Sequence, residues 1–329
     1  MEMDRVNTRP PTLVAEFTSS SGRTVLQYFS YVGHEPFRGP LRVASGFELV
    51  EVAEVGHRLQ TETSAAPVSR VAVNVQSFAY DASTGDLEVG ITPLLSTDGQ
   101  GWLAEVTFVV ICTDSGVAHI ARVSTGGVGT SEVSMSKYLP GAIPVGMDYV
   151  GMATQIWDVG TDAGPLLLNG VAAHVNNLSV TPPNLWLDYW GVLRDSAWTA
   201  PMFFEWQALV LAFDPAEMSR ATTSLPYQYT WLAHNVVTRN FFAGPITAPP
   251  GAPVTGFLDA YEGSVLGFGQ LINGPEHRVW CVEASASPPS LTPTGAITSY
   301  GTFLGTTYGD TVTTEPYLLQ VSRCAAWLH

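Results

Sequence analysis

Apolar side chains in this chain keep time with an extended backbone. In Arg70–Gln76, Val71, Val73 and Val75 share one face and Ala72, Asn74 and Gln76 the other, the period of a strand with one dry side. Phe78 and Tyr80 continue the run on the opposite parity, which predicts a bulge near Gln76–Ser77. Ala82–Gly85 reads as a turn, after which Leu87, Val89 and Ile91 resume the alternation, so the pair predicts a hairpin. A second turn over Thr97–Gly101 leads into Trp102–Ile111, whose far end is apolar on both parities and is therefore expected to be buried on both faces.

The same signature recurs along the chain. Strands are predicted over Thr24–Val32, over Phe204–Ala212, over Pro226–Val237, and in the segments SVLGFGQLI and HRVWCVEAS. Pro165–Val180 reads as two short strands about Asn169–Gly170, a favoured tight-turn pair. Leu49–Val55 alternates weakly and leaves strand and helix both open. Ala121–Ser136, with Gly126 and Gly127, reads as a mobile surface loop; no GK[ST] follows it, so it is not a phosphate-binding P-loop. One short helix is expected in DPAEMSRATT with Pro215 in its first turn, and a helical turn at the C-terminal end. The expected fold class is all-β, an antiparallel β-sandwich or jelly-roll-like architecture with few short helices. Residues 1–12 read as a flexible or docking arm, 13–150 as a first β module and 151–329 as a second, or both halves as one large sandwich; no exact repeat links them.

Charge narrows the partners. Among 329 residues, 29 acids face 14 bases, for a net charge of −15, and Lys137 is the single lysine. Nucleic-acid binding needs clustered Lys and Arg and is not expected. No apolar run reaches the ~18 residues of a membrane span, so no membrane insertion is expected. The first thirty residues lack the pattern of an export signal, which places the chain as soluble. Cys112, Cys281 and Cys324 fit neither a disulfide framework nor a metal cluster; each is expected to be a small buried hydrophobe, with a Cys281–Cys324 bridge left open.

No catalytic motif stands out, and no enzyme activity or cofactor is expected. GxSxG and HExxH are absent, and His277 with Cys281 supplies only two potential ligands. Asp158 with Asp162 is a weak calcium candidate, and Asp259 with Glu262 a weak carboxylate pair. The strongest candidate for a ligand or an interface is NLWLDYWGVLRDSAW. Trp186, Asp188, Tyr189, Trp190 and Trp198 combine aromatic faces with an acid, the chemistry of a sugar platform; core anchors are the alternative.

In general style, with strands joined by long loops after an arm, the chain resembles jelly-roll capsid proteins. With the low lysine content, the few long helices and the lack of an export signal or site motif, this architecture leads to the expectation of a structural assembly protein, a viral capsid or coat-associated protein that forms a shell by self-association. It further implies a location in the virion, or in the cytoplasm before assembly, with other virion proteins as partners. The alternatives are a carbohydrate-binding or receptor-binding β-sandwich module and, behind it, an all-β glycoside hydrolase.

Overall fold

The computed structural model describes residues 9–224 except 64–65, 169 and 196, and beyond them 228–232, 239–242, 254–261, 265–270, 278–279, 281–286, 301–305, 315–319 and 322–329. The fold is all-β, with one large curved sheet, half-barrel in form, and two small sheets; the described residues contain no helix.

The first group of strands is β1 (Thr12–Thr18), β2 (Thr24–Gly33), β3 (Phe37–Arg42), β4 (Leu49–Thr61), β5 (Val68–Asp81), β6 (Asp86–Thr97) and β7 (Trp102–Thr113). β7 pairs with β2 and β4 on its two edges, and β1 extends the ladder beyond β2. β6 pairs with β3 and β5 to make a small sheet. The second group is β8 (Ala118–Thr130), β9 (Glu132–Leu139), β10 (Asp148–Gly160), β11 (Gly170–Thr181), β12 (Asn184–Arg194) and β13 (Pro201–Phe213). It repeats the scheme: β13 lies between β8 and β10, and β12 between β9 and β11.

The repetition is closer than topology alone. Glu54 pairs with Phe108 and Thr154 with Ala208, and in each strand a bulge follows at once, between Glu54 and Gly56 and between Thr154 and Ile156. After β7 the Asp114 carbonyl accepts hydrogen bonds from Val117 and Ala118; after β13 the Asp214 carbonyl accepts from Glu217 and Met218. Gly46 and Gly146 turn the chain into β4 and β10 with φ of 89° and 91°, a conformation glycine adopts without strain.

The last third carries the same ladders a third time. Its strands are β14 (Met218–Ser224), β15 (Gln228–Leu232), β16 (Arg239–Phe242), β17 (Gly256–Tyr261), β18 (Val265–Gln270), β19 (Cys281–Ala286), β20 (Gly301–Gly305), β21 (Glu315–Leu319) and β22 (Ser322–Leu328). β22 pairs with β14 and β17, and β21 with β15 and β18. β16, β19 and β20 are additions; they pair in the order β16-β20-β19, and β19 joins the edge of β4.

Two cores follow from strand alternation. In β7, Ala104, Val106, Phe108, Val110 and Cys112 enter a core shared with the small sheets, through Leu87, Val89 and Ile91 of β6 and Leu185, Leu187 and Tyr189 of β12. Val109 and Ile111 point the other way, into a second core with Leu209, Leu211, Phe257 and Trp327. The large sheet therefore separates two apolar layers, and double burial explains the unbroken hydrophobic end of β7.

Several expectations change. DPAEMSRATT is a turn followed by β14, because Asp214 closes the same turn that Asp114 closes earlier. Leu49–Val55 is strand, and the C-terminal end is β22 rather than a helical turn. Ala121–Ser136 is not a mobile loop: it runs through β8 and β9, which turn at Ser131 with φ of 63°. Its glycines answer a lack of space. A Cβ on Gly126 would stand 3.0 Å from the Phe204 carbonyl oxygen, and one on Gly129 2.5 Å from that of Glu132. No hairpin forms about Gly170, since Leu166 bridges to Val68 and β11 pairs with β12; Asn169 lies outside the described residues. The expected bulge in β5 is present, between Ser77 and Ala79. The expected division at residue 150 falls inside β10. Residues 1–8 of the arm lie outside the described residues, as do the side chains of Cys281 and Cys324.

Phe108, fully buried and stacked on Phe29 at 5.5 Å, tests the first core. Phe108→Ala is expected to lower unfolding free energy by about 3–5 kcal/mol in denaturant titrations. Burial pushes the Cys112 thiol up to about 12. In a Cys281→Ser, Cys324→Ser variant at pH 8, thiol reagents are therefore expected to label Cys112 only as the protein unfolds; immediate labelling of the native protein would contradict this burial.

Candidate functional site

β12 presents its alternate residues to opposite sides. Leu185, Leu187 and Tyr189 are buried, and Tyr189 packs on Trp206 with ring centres 5.3 Å apart. Trp186, Asp188 and Trp190 face outward, with Trp186 44% exposed. Strand pairing sets Tyr138 of β9 opposite Trp186 and Ser136 opposite Asp188. The Tyr138 and Trp186 rings lie 6.0 Å apart at 43°, and Tyr138 is itself 53% exposed. Asp188 Oδ1 accepts hydrogen bonds from Ser136 Oγ at 2.5 Å and from Trp186 Nε1 at 3.2 Å. These bonds fix the carboxylate beside the aromatic pair and orient the indole.

The outer face continues toward the end of β12. The Arg194 guanidinium carbon lies 5.5 Å from the Trp190 ring centre and 4.0 Å from that of Trp198. Trp198 sits in a turn with φ of 58°, closed by Asp195, whose carboxylate accepts from Thr199 N and Oγ1. Four of the five aromatic-strip residues thus belong to one surface or its rim, while Tyr189 belongs to the core. Tyr138, Ser136 and Arg194 complete the surface. The alternation of Val133 and Met135 against Ser134 and Ser136 was the signal that β9 is a strand.

The first group of strands offers an internal comparison. Asp86 and Asn184 both start the return strand of their hairpins, which aligns Pro40 and Glu88 with Tyr138 and Trp186. On that earlier face Arg38 pairs with Glu88 at 2.8 Å and Arg42 with Asp86 at 2.9 Å, and Arg38 lies over Phe78 at 4.2 Å. One copy of the framework thus carries ion pairs where the other carries an open aromatic pair.

The remaining candidates are placed differently. Asp158 is 2% exposed, and both its oxygens are held by Arg70, at 2.9 Å from Nε and 2.5 Å from the terminal nitrogen. This pairing, with the fields of Glu205 and Asp162 added, raises the Arg70 pKa. Asp162 is exposed in the following turn and lines a cavity of about 380 Å³ with Met202 and Phe203. No group of three or more His, Cys, Asp or Glu among the described residues is arranged to hold a metal. Asp259 lies on β17, whereas Glu262 and His277 lie outside the described residues.

The buried polar centre is Glu54 and His57. Glu54 Oε1 lies 2.8 Å from His57 Nδ1, and the imidazole stacks on Trp157 at 5.6 Å. At 2% and 1% exposure, the pair lies at the junction of β4 with β10.

No protein-family model matches the chain, and no curated protein is significantly similar to it. The functional reading therefore rests on the residues themselves.

Asp158→Asn removes the charge that Arg70 neutralises. Because the Arg70 side chain is 43% exposed, water screens part of the loss. The expected cost is about 1–3 kcal/mol, below that of a wholly buried pair, and thermal unfolding measures it.

Proposed function

We propose that the chain is a carbohydrate-binding or receptor-binding β protein whose ligand rests on the outer face of β9 and β12. A single observation carries the reading: Trp186 and Tyr138 stand exposed side by side, with Asp188 held between hydrogen-bond donors at their edge. A pyranose has C–H groups on one face and hydroxyls around its rim. An aromatic surface takes the first and a carboxylate accepts hydrogen bonds from the second. Solvent-exposed aromatic area without a covering partner marks interaction sites. The ion-paired face of the first strand group supports the assignment to the second group rather than the first. In the same reading each small sheet closes on the large one as a β-sandwich, and the loops frame the platform.

Self-association into a homo-oligomer or a virion shell is the second reading. It is favoured by Val128 and Val145, which are 84% and 94% exposed and offer further apolar contacts. Neither reading requires catalysis or nucleic-acid binding. Light scattering separates them: large regular particles favour assembly, and a monomer at every concentration leaves the platform as the function.

On an array of immobilised glycans the intact protein is expected to bind a subset of sugars. Trp186→Ala is expected to weaken that binding at least about tenfold, the equivalent of ~1.4 kcal/mol, without lowering the melting temperature. Unchanged binding by this variant would defeat the platform.

A further inference from the structure

We infer that Arg194 anchors an anionic subsite beside the platform, which takes the carboxylate or sulfate group of an acidic sugar. The inference rests on the proposed glycan-binding face and adds the class of ligand. Its basis is a charge without a partner. Arg194 is 8% exposed, and its Nε, out of contact with solvent, has no hydrogen-bond acceptor among the described residues. Five other arginines, Arg23, Arg38, Arg42, Arg70 and Arg122, have side chains 43–71% exposed, yet each holds a carboxylate. Of these six arginines, the most buried is the one without a carboxylate among the described residues, against the rule that a buried charge is paired and hydrogen-bonded.

Its neighbours explain how it is held without being neutralised. Trp190 and Trp198 stack against the guanidinium and stabilise it through their ring faces. The adjacent Asp195 is committed to Thr199. Glu132 acts on Arg194 only through its field, which offsets part of the downward shift that burial imposes on the guanidinium. A planar guanidinium with open donors matches a carboxylate or sulfate. In the first strand group, the position of Arg194 is filled by Ser96, which accepts a hydrogen bond from Ser69 Oγ at 2.9 Å, so the cation belongs to the copy that bears the platform.

Spacing joins the two parts. Trp186, Asp188, Trp190 and Arg194 share the parity of β12, and the eight residues from Trp186 to Arg194 span ~26 Å of strand. The guanidinium folds back over Trp190, which brings it nearer the platform. A short oligosaccharide with a neutral ring on Trp186 and an acidic ring toward Trp190 and Arg194 spans that length.

The test uses the full chain. Sodium glucuronate and sodium sulfate are titrated separately at constant ionic strength while tryptophan fluorescence is followed, with sodium chloride and glucose as controls. A saturable change with glucuronate, sulfate or both is expected, and which of them responds identifies carboxylate or sulfate as the preferred group. Arg194→Gln is expected to abolish the response. On the array, the intact protein is expected to prefer acidic glycans at least fivefold over their neutral counterparts, and Arg194→Gln to lose that preference. If Arg194→Gln melts markedly lower, Arg194→Lys replaces it; charge without the planar fork is expected to weaken the response several-fold. No anion response in the intact protein, or an equal response in the variants, overturns the subsite. An anion response that persists while Trp186→Ala leaves sugar binding unchanged overturns the platform and leaves the anion site standing.

Discussion

The structure depends on strands that must satisfy two apolar layers at once. β4, β7, β10 and β13 send alternate residues into a core shared with the small sheets and into a second core on the other side of the large sheet. A one-residue slip in any of them exchanges the two sets, so register is strongly constrained. Bulges occur in β4 and β10, and beside each one the chain places a residue of the central junction, His57 or Trp157. The Glu54–His57 contact thus sits where two repeats of the framework meet, and it binds His57 Nδ1 to Glu54 Oε1 within the junction.

The recurring ladders separate what the fold needs from what a function adds. Positions that point into the cores stay apolar in both of the first two groups: Leu87, Val89 and Ile91 match Leu185, Leu187 and Tyr189. Outward positions are free of that demand, and there the two copies part company. One face is finished with arginine–carboxylate pairs, and the other with exposed aromatics, a fixed aspartate and an arginine set between indole rings. The two copies thus differ where packing makes no demand on residue type and agree where it does.

Strand order and burial were legible in unequal measure. The β5–β6 hairpin was readable to within a residue or two because one face is wet, so the alternation is clean. The far end of β7 announced its double burial by being apolar on both parities. Ala121–Ser136 misled because its glycines suggest flexibility, whereas Gly126 and Gly129 are there to admit neighbouring carbonyls. Asp214–Thr223 misled because a proline at a plausible first turn reads as helix, and only the matching turn at Asp114 shows otherwise. In the candidate site, Trp186 and Asp188 were visible from residue type alone. Tyr138 was not, because its place beside Trp186 comes from pairing between strands far apart in sequence. The lack of a carboxylate for Arg194 among the described residues was also hidden, since it depends on neighbours brought in from other strands.

Carrying three sets of ladders on one polypeptide has an evolutionary corollary. In a ring of identical subunits, any substitution appears in every subunit, so a residue suited to a ligand at one position is forced on all the others. Here serine in the first copy stands where the second has arginine, and glutamate where it has tryptophan, while both copies keep their ladders. Asymmetry of this kind lets an otherwise repetitive molecule present one specialised face to the outside.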